Sequence, residues 1–132
     1  MMGSGSRRAV FSTHDTWGRM QHPPVFSLAV RTLADILGCR LTAYVAGVRD
    51  ARVVDLWIAG IPDPGVEVRL RSAHSIASML SATERPAAVR AWFLEPQPRL
   101  GNRSPALVIR EGGDPHDVVA AAALSLNQGS ID

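Results

Sequence analysis

The sequence predicts an all-α fold, a small helical bundle, and three observations carry that prediction. Aliphatic residues and alanine dominate while only 5% of residues are aromatic, a composition that suits short packed helices better than a sheet rich in β-branched and aromatic side chains. Apolar residues recur at helical spacing in most of the chain beyond residue 25. Glycine and proline fall between those periodic stretches, where helices start and stop, and no repeat interrupts the pattern. At 132 residues the chain is long enough for one core, or for two very small helical subdomains.

Residues 1–25 show no sustained period and end at Pro23-Pro24; they read as a flexible N-terminal arm in which Phe11 and Trp17 are possible docking points. A first helix is expected over 26–37, with Phe26, Val30, Leu33 and Ile36/Leu37 on one face and Gly38 as its stop. Residues 41–60 follow with the pattern of a helix-turn-helix. Ala43 is small enough to let two helices approach, Gly47 supplies the turn, and Val53 and Leu56 would pack the second helix on the first. Trp57 beside them is expected to pack in the core or at the interface between subdomains. Regions 26–62 and 63–132 are taken as separate helical units.

In the second unit Asp63-Pro64 would cap a helix over 64–81 that buries Val66, Leu70, Ala73, Ile76/Ala77 and Leu80. Thr83 would cap another over 84–94 carrying Val89, Trp92 and Phe93. Pro96 and Pro98 then exclude helical continuation, Gly101 allows a tight bend, and Ser104-Pro105 reads as an N-cap with proline in the first turn. A short helix over 105–111 would stop at Gly112-Gly113, and Asp114-Pro115 would open the last helix, 115–127, with Val118, Val119, Ala122 and Leu126 as its apolar stripe. Trp92, Phe93, Leu100, Leu107 and Val108 are expected to pin this helix–loop–helix segment to the body.

Charge and special residues narrow the function. All fourteen basic residues are arginine, and the formal net charge is +2. Arg7, Arg8 and Arg19 against Asp15 place that surplus in the first 25 residues, so the remainder is balanced and a strong general nucleic-acid binder is disfavoured. Cys39 is alone, which excludes an internal disulfide, and as a small apolar thiol it is expected to be buried. No apolar run is long enough for a membrane span and no signal segment is read, so no membrane association and a cytoplasmic location are expected. His14, His22, His74 and His116 lack metal-ligand spacing, and no phosphate loop or nucleophile elbow occurs. His116 is expected to face solvent. Neither a catalytic site, a metal nor a cofactor is expected.

Two patterns, in this order, carry a resemblance: Ala43…Gly47-Val48…Val53…Leu56, then Trp92, the proline loop at Pro96, Leu100-Gly101 and Ser104-Pro105 before Gly112. Over residues 26–132 the chain resembles the Xre/MbcA/ParS-type antitoxins, with a divergent helix-turn-helix followed by a C-terminal helical toxin-binding region. The resemblance implies a partner, a RES-domain toxin that degrades NAD, neutralised by occlusion of its active site. It places the toxin-binding positions at Trp92, Pro96, Leu100, Gly101, Ser104 and Pro105. The end of the last helix, with Gly129, Ser130, Ile131 and Asp132, would reach the NAD pocket. Ile131 departs from relatives that carry an aromatic there, and Leu107 from a position often acidic.

Self-association, as a homodimer or as a hetero-oligomer with the toxin, and binding of operator DNA to repress its own operon are further expectations. If the helix-turn-helix reads DNA, its exposed second-helix positions Arg49 and Arg52 would touch a guanine edge or phosphate, opposed by Asp50 and Asp55. A helix-turn-helix kept only for packing or dimerisation explains the same residues, and a DNA-binding regulator without a toxin is the alternative function.

Overall fold

The structure is a computed structural model and describes residues 25–128. The N-terminal arm and the tail Gly129–Asp132 lie outside the described residues. Within them the chain forms helices and connecting turns: α1 Phe26–Leu37, α2 Cys39–Ala46, α3 Val53–Ile58, α4 Pro64–Ser81, α5 Pro86–Leu94, a 3-10 turn Pro98–Leu100, α6 Pro105–Arg110 and α7 Pro115–Asn127. The all-α prediction holds.

Two helices organise the rest. α1 packs against α2, α3, α4 and α5, while α4 packs against α1, α2, α5, α6 and α7. Their buried faces are those the periodicity marks: Val30, Leu33 and Leu37 on α1, and Val66, Leu70, Ala73, Ile76, Ala77 and Leu80 on α4. One continuous core runs from Val30 to Ala122, so the helices of 26–62 and those of 63–132 share it.

Several helix ends are closed by arginines from elsewhere in the chain. Arg90 Nη1 donates to the Ile36 carbonyl at the end of α1 (3.0 Å), and Arg110 Nη1 to the Tyr44 carbonyl near the end of α2 (2.8 Å). Arg69 Nε donates to the Arg110 carbonyl at the end of α6 (3.0 Å). A guanidinium adds a donor to a helix-end carbonyl and also sits at the negative end of the helix dipole; the Tyr44 carbonyl shares it with Gly47 N–H at 3.0 Å. Long-range contacts thus supply what α1 and α2 lack in their own last turns, which carry no basic residue.

Where the chain departs from expectation, the reasons are local. Only Gly38 separates α1 from α2, so α2 starts at Cys39. The Gly38 carbonyl accepts the Thr42 hydroxyl at 2.8 Å, which allows that buried threonine inside the core. Cys39 is exposed rather than buried, because Thr42, Ala43, Val45 and Ala46 occupy the inward face of the helix it begins. Gly47 adopts the left-handed conformation (φ 89°) as the turn requires. The following helix begins only at Val53, however, and this rotates its inward face: Val54 and Trp57 are buried, Val53 is half-buried and Leu56 is 50% exposed.

Two expected caps also move. Asp63 makes no side-chain bond to the start of α4; its carboxylate accepts the Trp57 indole N–H at 3.3 Å. Trp57 is buried, with the Phe26 ring edge-on at 6.3 Å. Thr83 caps nothing, because Pro86 sets the start of α5 and the residue before a proline is held extended (Arg85 ψ 159°). In α7 the inward residues are Val118, Ala121 and Ala122, while Val119 is 40% exposed.

Candidate functional site

The segment from Trp92 to Gly113 is built from strong local signals. Glu95 is extended after α5, as expected before Pro96. Gln97 and Arg103 face each other across an isolated antiparallel bridge, with Gln97 N–H donating to the Arg103 carbonyl at 3.1 Å. The Gln97 carbonyl also accepts from Leu100 and Asn102 N–H, both at 2.9 Å. This closes the loop on itself, and Gly101 (φ 69°) makes the reversal. Ser104 Oγ accepts Leu107 N–H at 3.1 Å, capping α6 with Pro105 in its first turn.

Gly112 (φ 77°) ends that helix, and Gly113 N–H donates to the Val108 carbonyl at 2.9 Å. A Cβ on Gly113 would stand 2.6 Å from Val108 Cγ1, so glycine there permits a close backbone approach. Asp114 caps α7 by accepting His116 N–H at 2.9 Å. That bond, followed by the contact with the His116 ring, holds the Asp114 carboxyl below the usual range. The His116 side chain faces solvent.

The residues expected to bind a partner divide into two groups. Trp92, Leu100 and Pro105 are buried, and Ser104 is half-buried in its capping bond. Pro96 and Gly101 are exposed at the loop surface, with Leu94 60% exposed beside them. Trp92 Nε1 donates to Ser125 Oγ at 2.9 Å, and α7 packs on the 3-10 turn. The loop is therefore tied to the last turn of α7. Gly129, Ser130, Ile131 and Asp132 lie outside the described residues.

Arg49 and Arg52 do not lie on the second helix. They belong to the connection before it, and Arg52 is the residue immediately preceding α3. Arg52 grips Asp50 with two guanidinium nitrogens, Nε to Oδ1 at 3.1 Å and Nη2 to Oδ2 at 2.9 Å, and its backbone N–H bonds Oδ1 at 2.9 Å. The side-chain bonds, then the backbone one, hold the Asp50 carboxyl below its ordinary value. The late start of α3 is responsible: with Val53 as first helical residue, Arg49 to Arg52 stay in the connection, which turns over Asp50–Val53.

Two surface recesses went unnoticed in the sequence. One, of about 420 Å³, is lined by Arg40, Tyr44, Val48, Arg49, Asp50 and Arg110. Arg110 lies over the Tyr44 ring at 4.6 Å, a contact between residues far apart in sequence. The other, of about 410 Å³, lies between α4 and α7 and is floored by Val68, Ile76, Pro115 and Val119. Its sequence trace was the exposed Val68, which breaks the polar outer face of α4. Among the described residues, no three His, Cys, Asp or Glu side chains gather as a metal site needs, and no helix is long and apolar enough to cross a membrane.

Neither a protein-family model nor a curated protein matches the chain. Among solved structures it is similar to a chain in the crystal structure of the M. tuberculosis MbcT-MbcA toxin-antitoxin complex, at 22% identity and a TM-score of 0.65. The match covers 81% of this chain and 97% of that one. This protein and that component of a toxin-antitoxin complex share one fold.

Proposed function

We propose that this chain is the antitoxin of a type II toxin-antitoxin system, a non-enzymatic protein that binds and neutralises a RES-domain toxin acting on NAD. The observation that carries the reading is the shared fold: nearly the whole length of a chain from a toxin-antitoxin complex superposes on this one. The residues that prompted the family resemblance support it, since Trp92, Leu100, Gly101, Ser104 and Pro105 build one ordered helix–loop–helix.

In this reading the buried members of that set act from behind. Trp92, Leu100 and Pro105 hold the loop rigid, so the exposed Pro96 and Gly101 meet the toxin in a preformed shape. Rigid presentation lowers the entropy lost on binding. The tail Gly129, Ser130, Ile131 and Asp132 continues from α7 and supplies a carboxylate and one apolar side chain to obstruct the NAD site. Blocking a cleft in this way needs no chemistry from the antitoxin. Self-association and a cytoplasmic location belong to the same proposal. A regulator that acts through Arg49 and Arg52 without a toxin is less well supported, because neither residue is on a reading helix and Arg52 is committed to Asp50.

The test is to co-express this chain with the product of the neighbouring reading frame and to follow cellular NAD and co-purification. The expected outcome is a stable complex, with NAD falling only when this chain is absent. Unchanged NAD with no complex sinks the reading. Removal of 129–132 should weaken neutralisation while leaving the complex isolable; full neutralisation by the shortened chain disproves the role of the tail.

A further inference from the structure

We propose that the recess bounded by Arg40, Arg49 and Arg110 binds a phosphate group. Three elements converge on it: the first turn of α2 brings Arg40, the turn after Gly47 brings Arg49, and the last turn of α6 brings Arg110.

Three arginines line one recess, and the one carboxylate beside them is already taken. Arg52, Arg71 and Arg103 each have a carboxylate partner, namely Asp50, Glu67 and Glu111. Arg40, Arg49 and Arg110 have no carboxylate partner among the described residues. Asp50 is the one acid lining the recess, and Arg52 already occupies both of its oxygens. Three arginines therefore line the recess with no free counter-charge. An anion seated among them is attracted by each.

The recess is also partly preorganised. Arg110 is held by its bond to the Tyr44 carbonyl and by the Tyr44 ring beneath it, while Arg69 fixes the Arg110 backbone. One cation is thus set in place before a ligand arrives, and Arg40 and Arg49 are free to close on it. Planar guanidinium forks match phosphate oxygens two at a time. Val48 and Ala51 add an apolar wall. A volume of about 420 Å³ exceeds a bare phosphate and leaves room for an attached sugar. Two sources carry this chemistry, a nucleic-acid backbone and a free nucleotide. The site is independent of the toxin reading, so either one stands if the other fails.

The experiment is titration calorimetry of the full chain with inorganic phosphate, ADP and a short random-sequence DNA duplex. Arg40→Gln and Arg49→Gln test the recess; neither side chain has a partner among the described residues, so both variants should keep the parent melting temperature. Arg31→Gln, at an exposed arginine of α1 outside the recess, is the control, and Arg110→Lys keeps the charge but removes the fork. Each of Arg40→Gln and Arg49→Gln should weaken binding about tenfold, the loss of one charge-assisted hydrogen-bonded contact. Arg31→Gln should leave it unchanged. Tighter binding of duplex, with a salt dependence whose slope falls by about one per arginine removed, supports the site and assigns it to a nucleic-acid backbone. Tighter binding of ADP supports it and assigns a nucleotide. No binding of any probe, or equal weakening by Arg31→Gln, overturns the proposal.

Discussion

The two long connections of this molecule, Gly47 to Arg52 and Glu95 to Ser104, behave in opposite ways. The second is closed by its own hydrogen bonds: the Gln97 carbonyl gathers two N–H groups, Gly101 reverses the chain, and Ser104 caps the helix that follows. Those devices are short-range, set by Pro, Gly and Ser together with Asn102, which is also left-handed (φ 63°). The first has fewer: the left-handed Gly47, and the Asp50 carboxylate that accepts Arg52 N–H just before α3. Between them the backbone is positioned by what the neighbouring helices leave available: Val54 and Trp57 enter the core and their register decides where α3 starts. A locally determined loop presents a fixed surface. A loop determined by packing leaves its charged side chains to find partners, and Asp50 and Arg52 do so with each other while Arg49 turns to the recess.

This contrast can be broken experimentally, and the largest effect is expected where both connections meet the core. Trp92→Ala, at a residue 2% exposed and bonded to Ser125, should cost about 3–5 kcal/mol in urea unfolding. Leu56→Ala, at the position expected to be buried but found half-exposed, should stay within about 0.5 kcal/mol. Comparable losses from both would mean that α3 is rotated relative to the register described above.

Gly113→Ala comes next. Its new methyl meets Val108 Cγ1 and the Val108 carbonyl, and backbone must shift, so a loss of about 1–3 kcal/mol is expected. A neutral result would show that the turn between α6 and α7 yields easily. Ser104→Ala removes one cap bond and should cost about 1 kcal/mol in the same assay. Thr83→Ala, at a residue that caps nothing, sharpens the comparison by costing less.

The smallest effect concerns pH. Partial burial, then the charge of Arg71, pushes the His74 pKa below its ordinary value near 6.5. The neutral ring is favoured in the folded state, so the unfolded chain binds the extra proton first. The contribution is fully present above about pH 6.5 and fades as pH falls through the lower folded value. His74→Gln should flatten the stability profile in that acidic window and leave it unchanged at pH 8. An unchanged slope in the variant assigns the pH dependence to other groups.

What could be read without the structure follows the same division. The α1 and α4 boundaries and their buried faces were legible, because periodicity and flanking Gly or Pro are encoded within one helix. The Ser104 and Asp114 caps were legible for the same reason. Asp63 misled, since its carboxylate had two chemically reasonable partners and the buried Trp57 indole took it. Leu56 misled because the start of a six-residue helix is too weakly marked to set its register. The recess of Arg40, Arg49 and Arg110 had no trace, since its members come from three separated elements.

The sequence by itself determined the helical class, the rigid loop at 95–104 and the balance of charge beyond the first 25 residues. Those properties depend on backbone preferences and residue counts, which act over a turn or two of chain. Only the tertiary structure decided which arginines close helix ends, which pair with carboxylates and which line one recess without a carboxylate partner. An arginine side chain reaches across the molecule, and its partner is chosen by three-dimensional proximity rather than by distance along the chain.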